Sequence, residues 1–149
     1  MSTPFDRILD RIGEVVQAPA NAAIERHVLD AAKIGPAEIV LVLGDRPGIG
    51  RHADSAEHTG AGDESVDVVL GINSAQSWHD RAAVFAELHR VLRPGGRLLL
   101  SVHERRLPVP RHELAAEAAA AGFTDLQTWL FRPPGPAAPL AAQLRALRA

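Results

Sequence analysis

The sequence predicts a single α/β domain built on an open, mostly parallel sheet, and three observations lead to this prediction. Short continuous apolar runs at residues 38–44 and 66–72 are bounded by turn residues, which is typical of strands buried on both faces. Segments with helical spacing of apolar residues alternate with these runs, and such alternation favours a parallel sheet. The length of 149 residues fits one domain with a substantial core.

Residues 1–35 predict two N-terminal helices. Ser2 or Thr3 can cap the first, and Pro4 suits its first turn. The second is expected over residues 19–33, with Gly35 and Pro36 after it as a stop signal. The apolar positions that recur at helical spacing in the first helix are Phe5, Ile8, Leu9, Ile12, Val15 and Val16.

Residues 36–132 predict the α/β core, and residues 133–149 a proline-rich linker with a short final helix at 140–148. Asp80 is expected to cap a core helix that ends at residues 93–96, where Pro94-Gly95 suits a type II turn. Residues 51–65 are polar and predict a loop with a short strand near Asp54. The remaining elements expected are strands at 97–102 and 123–131 and a helix at 112–121 closed by Gly122.

Composition narrows the function classes. The net charge of −2 supplies no electrostatic case for a nucleic-acid partner or an anionic membrane. No cysteine is present, which excludes disulfides and thiolate metal sites, and no apolar run approaches the ~20 residues that span a bilayer. We expect a cytoplasmic location. His52, Glu57 and His58 are the nearest approach to a metal-ligand cluster, but a solvated loop is the better interpretation, so no metal is predicted.

A family resemblance rests on three blocks of sequence. They are Asp67-Val-Val-Leu-Gly-Ile-Asn-Ser74, then Arg90-Val-Leu-Arg-Pro-Gly-Gly96, and finally the turn Ala121-Gly-Phe123. Together they resemble the middle of the class I S-adenosylmethionine-dependent methyltransferases, across roughly residues 64–132. The resemblance implies a shortened Rossmann-like fold with a sheet of about four to five strands.

Upstream, residues 40–50 are similar to the glycine-rich first motif of that family, whose backbone passes close to the methionine part of the cofactor. Gly44, Gly48 and Gly50 are kept, whereas Val42 replaces the usual acidic residue and Arg46 replaces the central glycine. A long cation at Arg46 would lie where the amino-acid end of the cofactor belongs. The cofactor-binding residues that the resemblance implies are Gly44, Asp45, Gly48, Asp54, Ser55 and Asn73.

The distance between the first two strands indicates an internal truncation. A doubly wound fold needs two further β-α units there, or ~60 residues, and only residues 51–65 are available. In the family, the missing second strand carries the acid that binds the cofactor ribose. Residues 54–57 resemble the segment beside the adenine. The strand at 39–43 is therefore expected to become a sheet edge, covered by the N-terminal helices or by a second copy in a homodimer.

Polar residues after the second core strand are candidates for the methyl-transfer site. The resemblance places Asn73 and its neighbours Ser74 and Gln76 near the cofactor methyl group or the acceptor. The residues alone favour a capped loop with Trp78 packed in the core. His79 or His103 could act as a base for a hydroxyl acceptor. The catalytic residues themselves stay unassigned.

Three functions remain open from the sequence. The preferred one is a methyltransferase-like protein that binds S-adenosylmethionine weakly or not at all and serves in assembly or regulation, with a full-length methyltransferase as a partner. The second is an active small methyltransferase whose site is completed by a dimer mate. The third is a binding module for another small ligand. A nicotinamide dehydrogenase is disfavoured, because no strand carries an acid ~20 residues beyond the glycine loop.

Overall fold

The computed structural model of the protein describes residues 19–43, 51–53, 55–135 and 138–149. Two 3-10 turns, Ala75–Ser77 and Glu104–Arg106, lie at the ends of strands. The helices and strands are α1 (Pro19–Ala32), β1 (Val40–Leu43), β2 (Arg51–His52), β3 (Val66–Ile72), α2 (Arg81–Val91), β4 (Leu92–His103), α3 (Arg111–Ala120), β5 (Phe123–Phe131) and β6 (Ala141–Arg148).

The described strands form one sheet in the order β2-β1-β3-β4-β6-β5. The first four strands are parallel, and β6 runs antiparallel to both β4 and β5. The predicted α/β fold with a mostly parallel sheet is confirmed. No helix in the described ranges is both long and apolar enough to cross a bilayer.

The predicted final helix at residues 140–148 is wrong, because this segment is strand β6. The strand lies between β4 and β5 and is paired on both sides. Its apolar side chains are buried, including Ala142 and Leu144. Alanine and leucine have high helix propensity, but propensity is a weak prior that pairing on two edges and burial override.

Side chains alternate between two cores, one on each face of the sheet. The α1 face carries Val42, Leu70 and Leu99, which pack with Val28 and Ala32 of α1. The α2/α3 face is covered by the other two helices. Its core includes Leu41, Leu43, Val69, Leu98 and Leu100 from the sheet and Phe85, Leu88 and Leu114 from the helices. Because the parallel strands are buried on both faces, their sequences are continuous apolar runs.

The predicted cap at Asp80 is confirmed, whereas α2 ends at Val91, before the predicted residues 93–96. The Asp80 side chain accepts a hydrogen bond from the backbone N–H of Ala83 at 3.0 Å, which caps α2. Gly95, within β4, has a φ of +84°, and Gly122, two residues after the end of α3, has a φ of +107°. Both glycines adopt a left-handed conformation that a side chain would strain.

The expectation that the strand at residues 39–43 forms the edge of the sheet is wrong, because β2 lies outside it. This two-residue strand pairs with Leu41 and Val42 on the outer side of β1, and the Ala53 N–H donates to the Val42 carbonyl at 3.1 Å. The short strand predicted near Asp54 thus lies at Arg51–His52, and it takes the outermost position. The predicted helix at residues 5–16, the glycine loop at 44–50 and Asp54 itself lie outside the described residues.

Candidate functional site

The carboxyl ends of β1, β3 and β4 meet at one edge of the sheet, where open α/β folds bind ligands. Asn73 follows β3 at this edge with a φ of +56°, a left-handed conformation that asparagine tolerates better than most residues. Its N–H donates to the Ser101 carbonyl at 2.7 Å, and its carbonyl accepts from Gln76 Nε2 at 2.8 Å. Asn73 is therefore anchored to the end of β4 by its backbone, and among the described residues its side chain has no hydrogen-bond partner.

Buried polar atoms without partners gather around the same edge. Ser74 Oγ, Gln76 Oε1 and Trp78 Nε1 follow β3, and His103 Nδ1 ends β4; none has a hydrogen-bond partner among the described residues. Most buried polar side-chain atoms in proteins are paired, with protein or with bound solvent. Four such atoms at the carboxyl ends of two adjacent strands mark this edge as a place where groups outside the described residues can pair with the protein.

The close approach of the chain at Ser74 depends on Gly71. A Cβ at Gly71 would lie 2.7 Å from Leu100 Cδ2 and 3.1 Å from Ser74 Oγ. The Ser74 hydroxyl therefore lies over the glycine, between strands β1 and β4. Trp78 packs its ring edge-on against Phe85 at 5.6 Å and is 9% exposed, so its ring belongs to the core. Its indole N–H has no partner in the described part of the chain.

Ser55 has a local role in the described structure. Its hydroxyl accepts a hydrogen bond from the His58 N–H at 3.0 Å, and its own N–H donates to the His58 carbonyl at 3.1 Å. These bonds close a tight turn in the connection between β2 and β3. The other predicted cofactor residues, Gly44, Asp45, Gly48 and Asp54, lie outside the described residues.

A polar network on the α1 face was not predicted from the sequence. Gln143 Oε1 lies 2.7 Å from His27 Nδ1 and accepts from Trp129 Nε1 at 2.6 Å, while Gln143 Nε2 donates to Ser101 Oγ at 3.3 Å. His27 also stacks on the Phe131 ring, with centroids 4.1 Å apart. The residues come from four elements, and His27 and Gln143 are 116 positions apart, so no local pattern reveals the contact.

The two predicted bases differ in environment. His103 is partly buried at the end of β4, and desolvation, with Arg106 and Arg105 nearby, lowers the pKa of its imidazole below 6.5. His79 is exposed in the turn before α2. His103 is therefore the one of the two that lies among the unpaired polar atoms.

Within the described ranges, no three His, Cys, Asp or Glu side chains are grouped as they would be around a metal ion. Glu57 and His58, two of the three residues that came nearest to a ligand cluster in the sequence, lie in the turn that Ser55 closes.

Comparison with solved structures places the fold among methyltransferases. A S-adenosylmethionine-dependent methyltransferase of Thermotoga maritima superposes with a TM-score of 0.70 and 17% identity, covering 97% of this chain and 96% of that one. A phosphoethanolamine N-methyltransferase 2 of Haemonchus contortus, in complex with phosphomonomethylethanolamine and S-adenosylhomocysteine, superposes with a TM-score of 0.63 and 11% identity over 86% of this chain and 52% of that one. At these identities the likeness shows the fold.

A curated relative matches over a shorter stretch. The uncharacterized protein YafE of Escherichia coli strain K12 is 42% identical over 45 residues, which are 30% of this chain and 22% of YafE. The chain thus matches about a fifth of that relative's length.

The family assignment rests on a longer match. Residues 24–100 fit the sequence profile of the methyltransferase domain, and this range runs from α1 through the glycine-rich segment to the middle of β4. It covers more than half of the chain and includes the edge at Asn73. The chain belongs to the methyltransferase domain family.

Proposed function

We propose that the chain is a methyltransferase domain that binds S-adenosylmethionine at the carboxyl edge of β1, β3 and β4, with lowered affinity. The observation that supports this proposal is a group of buried polar atoms at that edge that have no hydrogen-bond partner among the described residues: Ser74 Oγ, Gln76 Oε1, Trp78 Nε1 and His103 Nδ1. Leaving such atoms unpaired costs about 1–3 kcal/mol each, so a ligand or solvent that pairs with them is stabilised there.

The described residues fit a cofactor at this edge. S-adenosylmethionine supplies an electrophilic methyl group on a positively charged sulfur. Asn73, whose backbone is held by Ser101 and Gln76, would offer its side-chain amide to the bound cofactor or to the acceptor. The family resemblance assigns the methionine end of the cofactor to the loop of Gly44, Asp45 and Gly48, directly after β1.

Two features argue for lowered affinity. The position beside β1 is taken by β2, whose residues Arg51 and His52 carry no carboxylate for the ribose hydroxyls. The family resemblance assigns Arg46 to the position of the central glycine in that loop, where the amino-acid end of the cofactor would lie. Hydrogen bonds of this kind are worth about 1–3 kcal/mol. Two such losses convert a micromolar site into one near millimolar, since each factor of ten is about 1.4 kcal/mol.

A second function is favoured by the short connection between β1 and β3. Residues 44–65 contain one two-residue strand and no helix in their described part, so the β1 side of the domain is thin. A domain of this form would serve in assembly or regulation, either as a homodimer or beside a full-length methyltransferase. A dimer mate could also complete an active site.

Calorimetric titration with S-adenosylmethionine and S-adenosylhomocysteine tests the first function. We expect binding of both ligands between micromolar and millimolar concentrations. Methylthioadenosine, which lacks the amino-acid end, is the matched control. If Arg46 crowds the amino-acid end of the cofactor, methylthioadenosine should bind at least as tightly as S-adenosylhomocysteine. Absence of heat for all three ligands up to about a millimolar would contradict the proposal and favour the non-catalytic role. Light scattering on the same sample decides between a monomer and a homodimer.

A further inference from the structure

The N-terminal half of α1 extends toward the carboxyl edge of the sheet. Arg97, in the first half of β4, donates to the carbonyls of Ala32 and Lys33 at the end of α1, at 2.5 and 3.0 Å. The C-terminal end of α1 is thereby tied to β4 four residues before Ser101. At the other end of the same strand, Ser101 is linked through Gln143 to His27, one and a half turns earlier in α1. His27 therefore lies beside the edge where Asn73 is bonded to Ser101.

Strand register brings further side chains to the same place. Ser101, Gln143 and Trp129 are direct cross-strand neighbours, as are His103, Ala141 and Phe131. Directly opposed residues point to the same face, and Trp129 packs with the core on the α1 face. His103 is thus on the same face as the network, one row nearer the carboxyl end.

The hydrogen-bond network determines which ring nitrogen of His27 carries the proton. Indole Nε1 is only a donor, so the Gln143 atom 2.6 Å from Trp129 Nε1 is the carbonyl oxygen. That same oxygen lies 2.7 Å from His27 Nδ1 and is only an acceptor. Nδ1 therefore carries a hydrogen, and in neutral His27 the lone pair is on Nε2. Among the described residues, Nε2 has no hydrogen-bond partner.

From this geometry we propose that His27 Nε2 is the proton acceptor for a hydroxyl-bearing aromatic methyl acceptor bound on the α1 face beside Asn73. The proposal rests on the proposed cofactor binding at the same edge. It replaces His79 and His103 as the expected base. His79 is exposed, and His103 Nδ1 has no hydrogen-bond partner among the described residues to orient its ring. His27 is oriented by a carbonyl oxygen in the way that catalytic imidazoles are oriented by a second group.

The chemistry explains why the acceptor is a hydroxyl group. As the acceptor oxygen attacks the methyl carbon, an O–CH3 bond forms and the S–CH3 bond breaks, with its electron pair left on sulfur. The hydroxyl proton passes to His27 Nε2. A neutral amine is already a good nucleophile and needs no base, but a neutral hydroxyl is a poor one until its proton is removed. The rings of Phe131 and Trp129 pack against the His27 ring, with centroids 4.1 and 6.3 Å from it. The base thus lies in aromatic surroundings, which favour an aromatic acceptor, since ring pairs contribute about 0.5–1.5 kcal/mol beyond the area they bury.

The tautomer can be measured without cofactor or turnover. The 15N shifts of the His27 ring, recorded on the labelled full chain at pH ~8, are expected to show a protonated Nδ1 and an unprotonated Nε2. Free histidine in solution usually carries its proton on Nε2 instead. A predominant Nε2–H signal would overturn the proposal. Gln143→Glu keeps an acceptor oxygen and should preserve the Nδ1–H tautomer. Gln143→Leu removes that acceptor, so the proportion of the Nε2–H tautomer should rise. If Gln143→Leu does not fold, the wild-type spectrum alone decides.

Ligand contact is tested with phenol as the probe, in the presence of saturating S-adenosylhomocysteine. Phenol should move the Nε2 signal of His27 upfield, as accepting a hydrogen bond does, with the His79 ring as an internal control that does not move. His27→Gln should weaken phenol binding several-fold, and the matched variant His79→Gln should leave it unchanged. An unmoved Nε2 signal with S-adenosylhomocysteine bound would overturn the proposal. Failure of S-adenosylhomocysteine to bind, with the Nδ1–H tautomer present, would overturn the proposed function instead.

Discussion

Thr59 donates both its backbone N–H and its hydroxyl to one carboxylate oxygen of Glu87, at 3.0 and 2.7 Å. Arg90 bonds the same carboxylate and extends to Asp63 and to the Ala61 carbonyl. The polar connection between β2 and β3 is thereby attached to α2. A segment that looks like a plain solvated loop in the sequence gains its order from charge-assisted hydrogen bonds, which are about twice as strong as neutral ones.

Glu87→Gln should lower the free energy of unfolding by about 1–2 kcal/mol at pH 7, since it weakens the charged bonds to Arg90 while a carbonyl remains for Thr59. The hydrogen bond from Arg90, helped by Thr59 and opposed by desolvation, lowers the pKa of Glu87 from 4.5 to about 2. The carboxylate therefore stabilises the fold fully above pH 4.5 and loses this effect as the pH falls toward 2.

Urea denaturation of both proteins across that range provides the measurement, and the two curves should converge at low pH. Glu104→Gln, at an exposed site, is the control and should change stability little. A constant difference between wild type and Glu87→Gln from pH 7 to pH 2.5 would contradict the role of the ionised carboxylate.

Arg97→Ala should destabilise the fold by about 2–3 kcal/mol. The guanidinium is 13% exposed, forms a fork with Glu38 at 2.6 and 2.9 Å, and caps the end of α1. Its hydrogen bond is the main reason that the pKa of Glu38 lies near 2. Chemical denaturation measures the change. Arg93→Ala is the matched control: that ion pair with Asp67 is 44% exposed on the arginine side, so its loss should cost less than about 1 kcal/mol. Equal losses in the two variants would contradict the capping role.

Asn73→Gly should leave stability within about 0.5 kcal/mol of wild type, because glycine accepts the φ of +56° and the backbone bonds to Ser101 and Gln76 remain. It should weaken S-adenosylhomocysteine binding several-fold, because the side-chain amide is lost. Asn73→Val, which strains the left-handed backbone, should cost about 1–3 kcal/mol of stability. Thermal unfolding and calorimetry on the same samples separate the two effects. Unchanged ligand affinity in Asn73→Gly would remove this side chain from the site.

Leu144→Ala should destabilise the protein by about 2–5 kcal/mol, the usual cost of emptying a buried leucine site. Leu144 is 2% exposed in β6, and its strand is paired with both β4 and β5. Leu140→Ala, just before the strand at a half-buried position, is the control and should cost far less. Denaturation midpoints measure both. Similar small effects at the two positions would contradict a central strand at residues 141–148.

Much of the fold could be predicted because it is encoded locally. Strand β3 and strand β5 lie where the apolar and β-branched runs placed them, at Val66–Ile72 and Phe123–Phe131. The cap at Asp80 and the positive φ of Gly95 followed from residue chemistry alone. At the site, the position of Asn73 at the carboxyl edge followed from its place directly after a buried strand. Each of these signals involves residues within a few positions of one another.

The sequence by itself thus determined the parallel core, its family and the strand edge at which the site is proposed. Only the tertiary structure decided that residues 141–148 form a strand. Their alanine-rich sequence favours a helix, but pairing with β4 on one side and β5 on the other outweighs this preference. The tertiary structure also decided that β2 covers β1, and that His27 meets Gln143 across 116 positions. Partners so far apart leave no periodicity in the chain, because register, burial and hydrogen-bond direction arise only when the sheet has assembled.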